Sequence, residues 1–521
     1  MEIAKKIKNS LALESEQPVK LPALEGLEEC IQEFKSYYMN DFKKLIYQEN
    51  SKDLQESISP ENAMKLGLLI FQVFHEVEIE KYDLANPRQP IRDFFASIAK
   101  GVCNKLKNLE KNKAMNLENL FASTFQSLLF NWYLDHFAEE QYRKAIKELL
   151  YKKSSTELQK EISFENATKL RVLIFAVLPE VEIQNSNYKN REQSLRLFSV
   201  KIAKGIYQKL KDLTNDCKIK PSDLFDSPFD SSVFNWLIYE VLLQTYHHPI
   251  LRLLYKNRYS ADLVEELSFI NATKLKLSIF GAFPEVELDE YDHENRKHFL
   301  RPFFVQKAND VYQKLKKLQK GSEIKTSELF GSLFDSLQFT WSFDEFSWLR
   351  NNGVVERILY QKDSTLNDRI SFTNAMDLAQ FIFETFPEVE INIDSFTNRD
   401  EYFRPFFIKM AKGICQRVQM LKILQNNKMP QSKDPIGTSE LFGSPFDPLL
   451  FNWYLSMFST NGNRDIEKLL YKKYSTNVDS EMGELPYKSH STELHETISL
   501  KDAMRVAELL FAEFPKIKTE N

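Results

Sequence analysis

Glycine is scarce in this chain, at 13 of 521 residues against a usual share of roughly 7%. Folds built on glycine-rich phosphate loops and repeated positive-φ turns are therefore disfavoured, and long helices joined by polar loops are favoured. Cysteine is scarcer still. Cys30, Cys103, Cys217 and Cys415 stand far apart with no C-x-x-C pair, so neither a disulfide framework nor a structural zinc is indicated. No apolar run approaches the ~20 residues of a membrane span; LGLLIFQVF, the best, has nine. The first twenty residues lack the apolar core of a secretory signal. Charge of one sign is also lacking, because 69 basic residues face 74 acidic ones for a net charge of −5. That balance provides no basic footprint for nucleic acid and no polybasic membrane patch. A cytoplasmic protein is expected, or one delivered into another cell by a leaderless route.

What the chain does contain is one passage written several times. SFENATKLRVLIFAVLPEVEI from Ser163 returns from Ser268 and Ser371, more loosely from Ser59, and truncated from Ser499. Tyr47, Tyr151, Tyr255 and Tyr360 are separated by 104, 104 and 105 residues. Trp132, Trp236, Trp341 and Trp453 are separated by 104, 105 and 112, and Asn62, Asn166, Asn271 and Asn374 by 104, 105 and 103. Three landmarks sharing one period define a tandem repeat. The excess before Trp453 falls in the Pro-rich stretch NNKMPQSKDPIG, which reads as a surface-loop insertion. Tyr487 aligns with Tyr151, which makes the preceding LLYKKYST a local duplication.

Within a unit the signals are helical. Ser59, Ser163, Ser268, Ser371 and Ser499 read as N-caps, with proline directly after the first. Asn62, Asn166, Asn271 and Asn374 fall at N3, where a side chain can reach back to the cap. Apolar residues at 167, 170, 174 and 178 form a helical stripe, and the prolines that follow end the helix. A second helix carries FFASIAKGVCNKLKNL with a lysine face that reads as solvated. A third opens at SPFD or STFQ, and a fourth, after a polar break such as His248-Pro249, ends in LLY. The expected fold is all-α: a solenoid-like tandem helical array of four units of about 104 residues, about four helices each, plus a terminal half unit. The units are read as 37–138, 139–243, 244–349 and 350–460 (with a loop insertion near 424–437), after a helical lead segment 1–36 and before a partial repeat 461–521. Only EVEI alternates like a strand, and four residues decide nothing.

Candidate functional residues follow the repeat. The pairs Glu76/Glu78, Glu180/Glu182, Glu285/Glu287 and Glu388/Glu390 precede Arg88, Arg191, Arg296 and Arg399, and a second arginine follows each (Arg92, Arg196, Arg301, Arg404). Either these acids and bases tie the loop down within a unit, or they form a partner-binding face. The last copy has Lys516-Ile517-Lys518 and lacks the arginines, and this joint loss supports pairing. The tryptophans lie on one stripe with Phe125, Leu129 and Phe137, as core packing requires. The E-x-E of ADP-ribosyl-transferring enzymes is matched without the accompanying strand motifs. The histidines recur in no register, although His293 and His298 flank Glu294. No nucleophile elbow, phosphate loop, dinucleotide fingerprint or H-E-x-x-H is present. The expectation is a non-catalytic helical scaffold for a protein partner, with no cofactor and no metal. The alternatives are a nucleic-acid-binding repeat protein and a carrier of apolar ligands or lipid. Phe/Lys/Asn-rich usage extends the first reading to a host-directed effector.

Overall fold

The computed structural model describes residues 2–514 except 12, 14–15, 22–35, 49–50, 52, 84, 154, 185–187, 212–217, 258–261, 293–294, 348–351, 362–364, 392–398, 427–434, 445, 458–460 and 473–492. The chain divides into two compact units, Met1–Leu288 and Asp289–Asn521, and it is mostly helical.

The amino-terminal unit runs α1 (Glu2–Ser10), α2 (Ser36–Ile46), α3 (Pro60–Val73), α4 (Arg88–Lys107), α5 (Thr124–Phe137), α6 (Glu140–Leu150), α7 (Phe164–Val177), α8 (Arg191–Lys211), α9 (Pro228–Val241), α10 (Gln244–Leu254) and α11 (Phe269–Ala282). The other unit runs α12 (Arg296–Lys316), α13 (Leu333–Phe346), α14 (Asn352–Leu359), α15 (Phe372–Thr385), α16 (Arg399–Asn426), α17 (Asp447–Met457), α18 (Asn461–Leu470) and α19 (Leu500–Glu513).

Local chemistry sets where these helices begin and end. The hydroxyls of Ser59, Ser163, Ser268, Ser371 and Ser499 accept from the backbone N–H of Asn62, Asn166, Asn271, Asn374 and Asp502, satisfying one of the donors that a helix start leaves open. Ser499 Oγ also donates to the Asp502 carboxylate at 2.6 Å. The first four of these helices break before a three-residue 3-10 turn, His75–Val77, Pro179–Val181, Pro284–Val286 or Pro387–Val389. The EVEI segment is thus a 3-10 turn and its continuation, with the valine buried.

The strands lie elsewhere. Among the described residues they are ladders of two or three residues: Val19–Lys20 with Ser57–Ile58, Ala114–Asn116 with Glu161–Ser163, Glu323–Lys325 with Arg369–Ser371, and Ile436–Gly437 with Thr497–Ile498. All are antiparallel, and each joins the segment after a long helix to the residues leading into the next serine cap. A single bridge, Ile219 to Leu267, holds the same place before α11.

Two expected boundaries differ. His248-Pro249 does not break the chain but lies inside α10; the interruption is at Leu242–Leu243, and Pro249, sixth in the helix, costs it the bond that an N–H there would make to the Thr245 carbonyl. Tyr471, not Tyr487, is the counterpart of Tyr151. Tyr151 bridges Leu158 and Tyr471 bridges Leu494, and their hydroxyls donate to Ser127 O at 2.8 Å and Pro448 O at 2.7 Å. The extra residues, Tyr487 among them, fall inside that loop and outside the described residues.

The lead segment also has a counterpart. Ile3-Ala4-Lys5 and Ile7 of α1 match Ile98-Ala99-Lys100 and Val102 of α4, and α1 buries Ala4, Ile7 and Leu11 with Ala63, Leu66 and Ile70 of α3. It occupies on α3 the place that α4 takes on α7.

Candidate functional site

The repeated acids sit on the 3-10 turns, held by a buried valine between them, and their partners come from a long helix one sequence copy earlier. Arg92 of α4 grips Glu180 with Nε at 2.5 Å and Nη2 at 3.2 Å, and the same Nη2 donates to Val177 O at 2.9 Å. Arg196 meets Glu285 at 2.8 Å. Arg301 meets Glu388 with Nη2 at 2.9 Å and donates to Thr385 O at 3.0 Å. A planar fork suits this double duty, one side for a carboxylate and one for the carbonyls left open where a helix ends. These side chains are only 10–19% exposed. Burial lowers the Arg301 guanidinium below its usual value, and the Glu388 charge opposes that shift. Arg404 donates to Glu513 O at 3.2 Å; the residue answering to the glutamate there is Lys516, which lies outside the described residues.

The ties therefore span copies, where one of the two expected readings had them within a unit, and they use the second arginine of each set. Arg88 is exposed. Arg191 donates to Ala176 O at 2.9 Å. Arg296 pairs with Glu345 at 3.3 Å and covers the Trp341 ring. The Arg399 side chain lies outside the described residues. Glu76 makes no ion pair among the described residues.

The second glutamate of each pair faces a different polar partner at each junction. Glu78 takes Lys8 of α1 at 2.6 Å. Glu182 takes Arg171 of α7, whose Nε donates at 2.9 Å and whose guanidinium lies 3.5 Å from the Phe229 ring centroid. Glu287 accepts from the Tyr207 hydroxyl, and Lys276 Nζ lies 5.0 Å from that tyrosine ring centroid. Glu390 pairs with Lys316 beside Tyr312, whose hydroxyl is pushed up by burial and by that carboxylate. Lys8, Cys103, Tyr207 and Tyr312 occupy one repeat position, and Gly67, Arg171, Lys276 and Ala379 another. Where the long helix offers Cys103, the neighbouring helix supplies Arg171; where Lys8 is present, Gly67 stands opposite. Each half-buried carboxylate thus has a cation close by, as charge burial demands.

The tryptophans are structural. Trp132 packs edge-on against Phe71 at 5.3 Å, Trp236 against Phe175 at 5.8 Å and Trp453 against Phe383 at 5.5 Å, while Trp341 packs on Phe304 at 5.7 Å. The lysine face of the long helices is partly engaged rather than solvated. Lys105 caps Asn119 O at 2.8 Å, Lys209 meets Asp226 at 2.9 Å and Lys314 donates to Leu329 O at 3.3 Å. Those contacts hold a segment that sequence reasoning passed over, MNLENLF, IKPSDLF, IKTSELF and IGTSELF. Its recurrence was the available signal.

Burial pushes the Cys103 and Cys415 thiols up to about 12, which removes thiolate character at neutral pH. His298 is exposed and His293 lies outside the described residues. Among the described residues no three His, Cys, Asp or Glu side chains cluster as a metal site would require, and no helix is long and apolar enough to cross a membrane. A concavity of about 580 Å³ lies between α4, α7, α8 and the start of α9; another, of about 600 Å³, lies between Glu78–Asp83 and the start of α4. No protein-family model, curated protein or solved structure matches this chain.

Proposed function

We propose that the chain is a non-catalytic tandem helical repeat scaffold that binds a protein partner along the surface of its repeated long helices. The observation that carries this reading is the ion-pair row. Arg92–Glu180, Arg196–Glu285 and Arg301–Glu388 couple residues 88, 89 and 87 positions apart, so the most chemically conspicuous side chains join successive copies. Repeats that bury faces on one another in this way extend a core and leave a long outer surface for recognition. Engagement of Lys105, Lys209 and Lys314 by the chain itself favours a protein partner over the phosphate backbone of a nucleic acid.

The test is affinity capture from a cell lysate with the intact chain beside a Lys100→Glu/Lys204→Glu variant. Both lysines are exposed on long helices, so circular dichroism should match between the two. A protein retained by the wild type and lost by the variant supports the scaffold. Recovery of nucleic acid or lipid alone would replace it with one of the alternatives.

A further inference from the structure

Three of the 13 glycines stand at one position of the long helices: Gly101 in α4, Gly205 in α8 and Gly413 in α16. Each directly follows a lysine (Lys100, Lys204, Lys412). Nothing in the fold calls for glycine there. A Cβ at Gly101 or Gly205 would meet nothing within 4 Å, and at Gly413 the nearest atom is Arg417 Nη1 at 3.4 Å. Their φ angles are ordinary, since among the described glycines only Gly321 is positive. An exposed glycine inside a helix costs about 1 kcal/mol relative to alanine. The cost recurs in three of the four long helices, with Asp310 at this position in α12, and what glycine supplies there is a backbone open to close approach.

At Gly205 the missing side chain opens the 580 Å³ groove. Phe164 and Phe198 are half-buried in its floor and Phe229 is buried. Arg171 is occupied by Glu182 and the Phe229 ring. Of the acids on the rim, Asp226 is held by Lys209 at 2.9 Å and Asp230 accepts from Ser227 Oγ at 2.7 Å. Lys107 and Lys201, also on the rim, are exposed and have no partner in the chain among the described residues. The groove therefore presents apolar rings below, an open backbone at one side and, above, Lys107 and Lys201 beside one carboxylate, Asp230, that meets no cation among the described residues.

We propose that this groove binds an acidic peptide segment of the partner, with apolar side chains on the phenylalanine floor, main chain across Gly205 and carboxylates at Lys107 and Lys201. The proposal rests on the scaffold reading and gives its partner a chemistry. A volume of this size admits a few side chains rather than a folded surface.

The experiment is selection of short random peptides displayed against the full-length protein, followed by anisotropy titration of the best binder. Wild type is compared with Gly205→Leu, which fills the groove, with Lys107→Glu/Lys201→Glu, and with a charge-matched control, Lys144→Glu/Lys153→Glu. Selected peptides should be enriched in Asp and Glu and carry apolar residues. Gly205→Leu and the groove charge swap should each weaken the dissociation constant about tenfold or more, equivalent to about 1.4 kcal/mol, while the control and all circular dichroism spectra stay unchanged. Binders without acidic enrichment, or acidic binders that both groove variants hold as tightly as wild type, overturn the groove but leave the scaffold standing with its site elsewhere. A selection yielding no binder overturns the groove alone if lysate capture still recovers a protein. Single-stranded RNA that binds the wild type and is lost by Lys107→Glu/Lys201→Glu overturns both.

Discussion

If the Arg–Glu row joins successive copies, cutting one pair should loosen one junction by an amount the geometry fixes. Arg92 and Glu180 are 13% and 10% exposed, so solvent screens them little, and removing one partner from such a pair costs of the order of 3–5 kcal/mol when burial is complete. Arg92→Met leaves both the Glu180 carboxylate and Val177 O unmet, and about 3 kcal/mol is expected. Glu180→Leu leaves Arg92 its bond to Val177 O, so about 2 kcal/mol is expected. The double variant removes both charges and should cost well below the sum, with a coupling energy of about 2 kcal/mol. Global melting averages over two compact units, so the assay is native-state hydrogen exchange at Val181, Glu182 and Ile183. Their amides donate to Leu178 O and Pro179 O at 2.9–3.1 Å, bonds that open with the turn. Single effects that add to within about 0.5 kcal/mol, or equal loss of protection in the turn at His75–Val77, would refute the idea of a local inter-copy tie.

Three further outcomes are expected. Gly101→Ala and Gly205→Ala should each raise stability by about 1 kcal/mol, read as a higher denaturant midpoint, because a Cβ there meets nothing; destabilisation would mean that the fold itself needs the glycine. Cys103 and Cys415, with thiols near 12, should resist iodoacetamide at pH 8 in the native protein and react on unfolding, as mass spectrometry of timed quenches would show. His75 stands where the other copies have proline and is stacked on Tyr82, and burial lowers its pKa below 6.5 while Glu76 opposes. The unfolded chain then binds the proton more readily, so stability is full above pH 6.5 and falls as pH drops below it. The stability of wild type minus that of His75→Pro should decline between pH 7.5 and 5, and a difference that stays flat would refute the assignment.

The residues themselves determined the period, the serine caps, the helices and the tryptophans' place in the core. Each of these is a short-range property: a hydroxyl reaches an amide three residues on, and an apolar stripe repeats every turn. The ladders were illegible because two or three residues carry no period, and Pro249 misled because local propensity yields to packing. Which arginine meets which glutamate was also beyond reach. Arg88 and Arg92 lie one helical turn apart and look equivalent along the chain. Only the packing of α4 against α7 brings Arg92 to the turn at Pro179–Val181, 88 residues away from it in sequence. The same holds for the counterions of Glu78, Glu182 and Glu390. Lys8, Arg171 and Lys316 come from different repeat positions, because a buried carboxylate requires a cation nearby in space and is indifferent to where in the chain it originates.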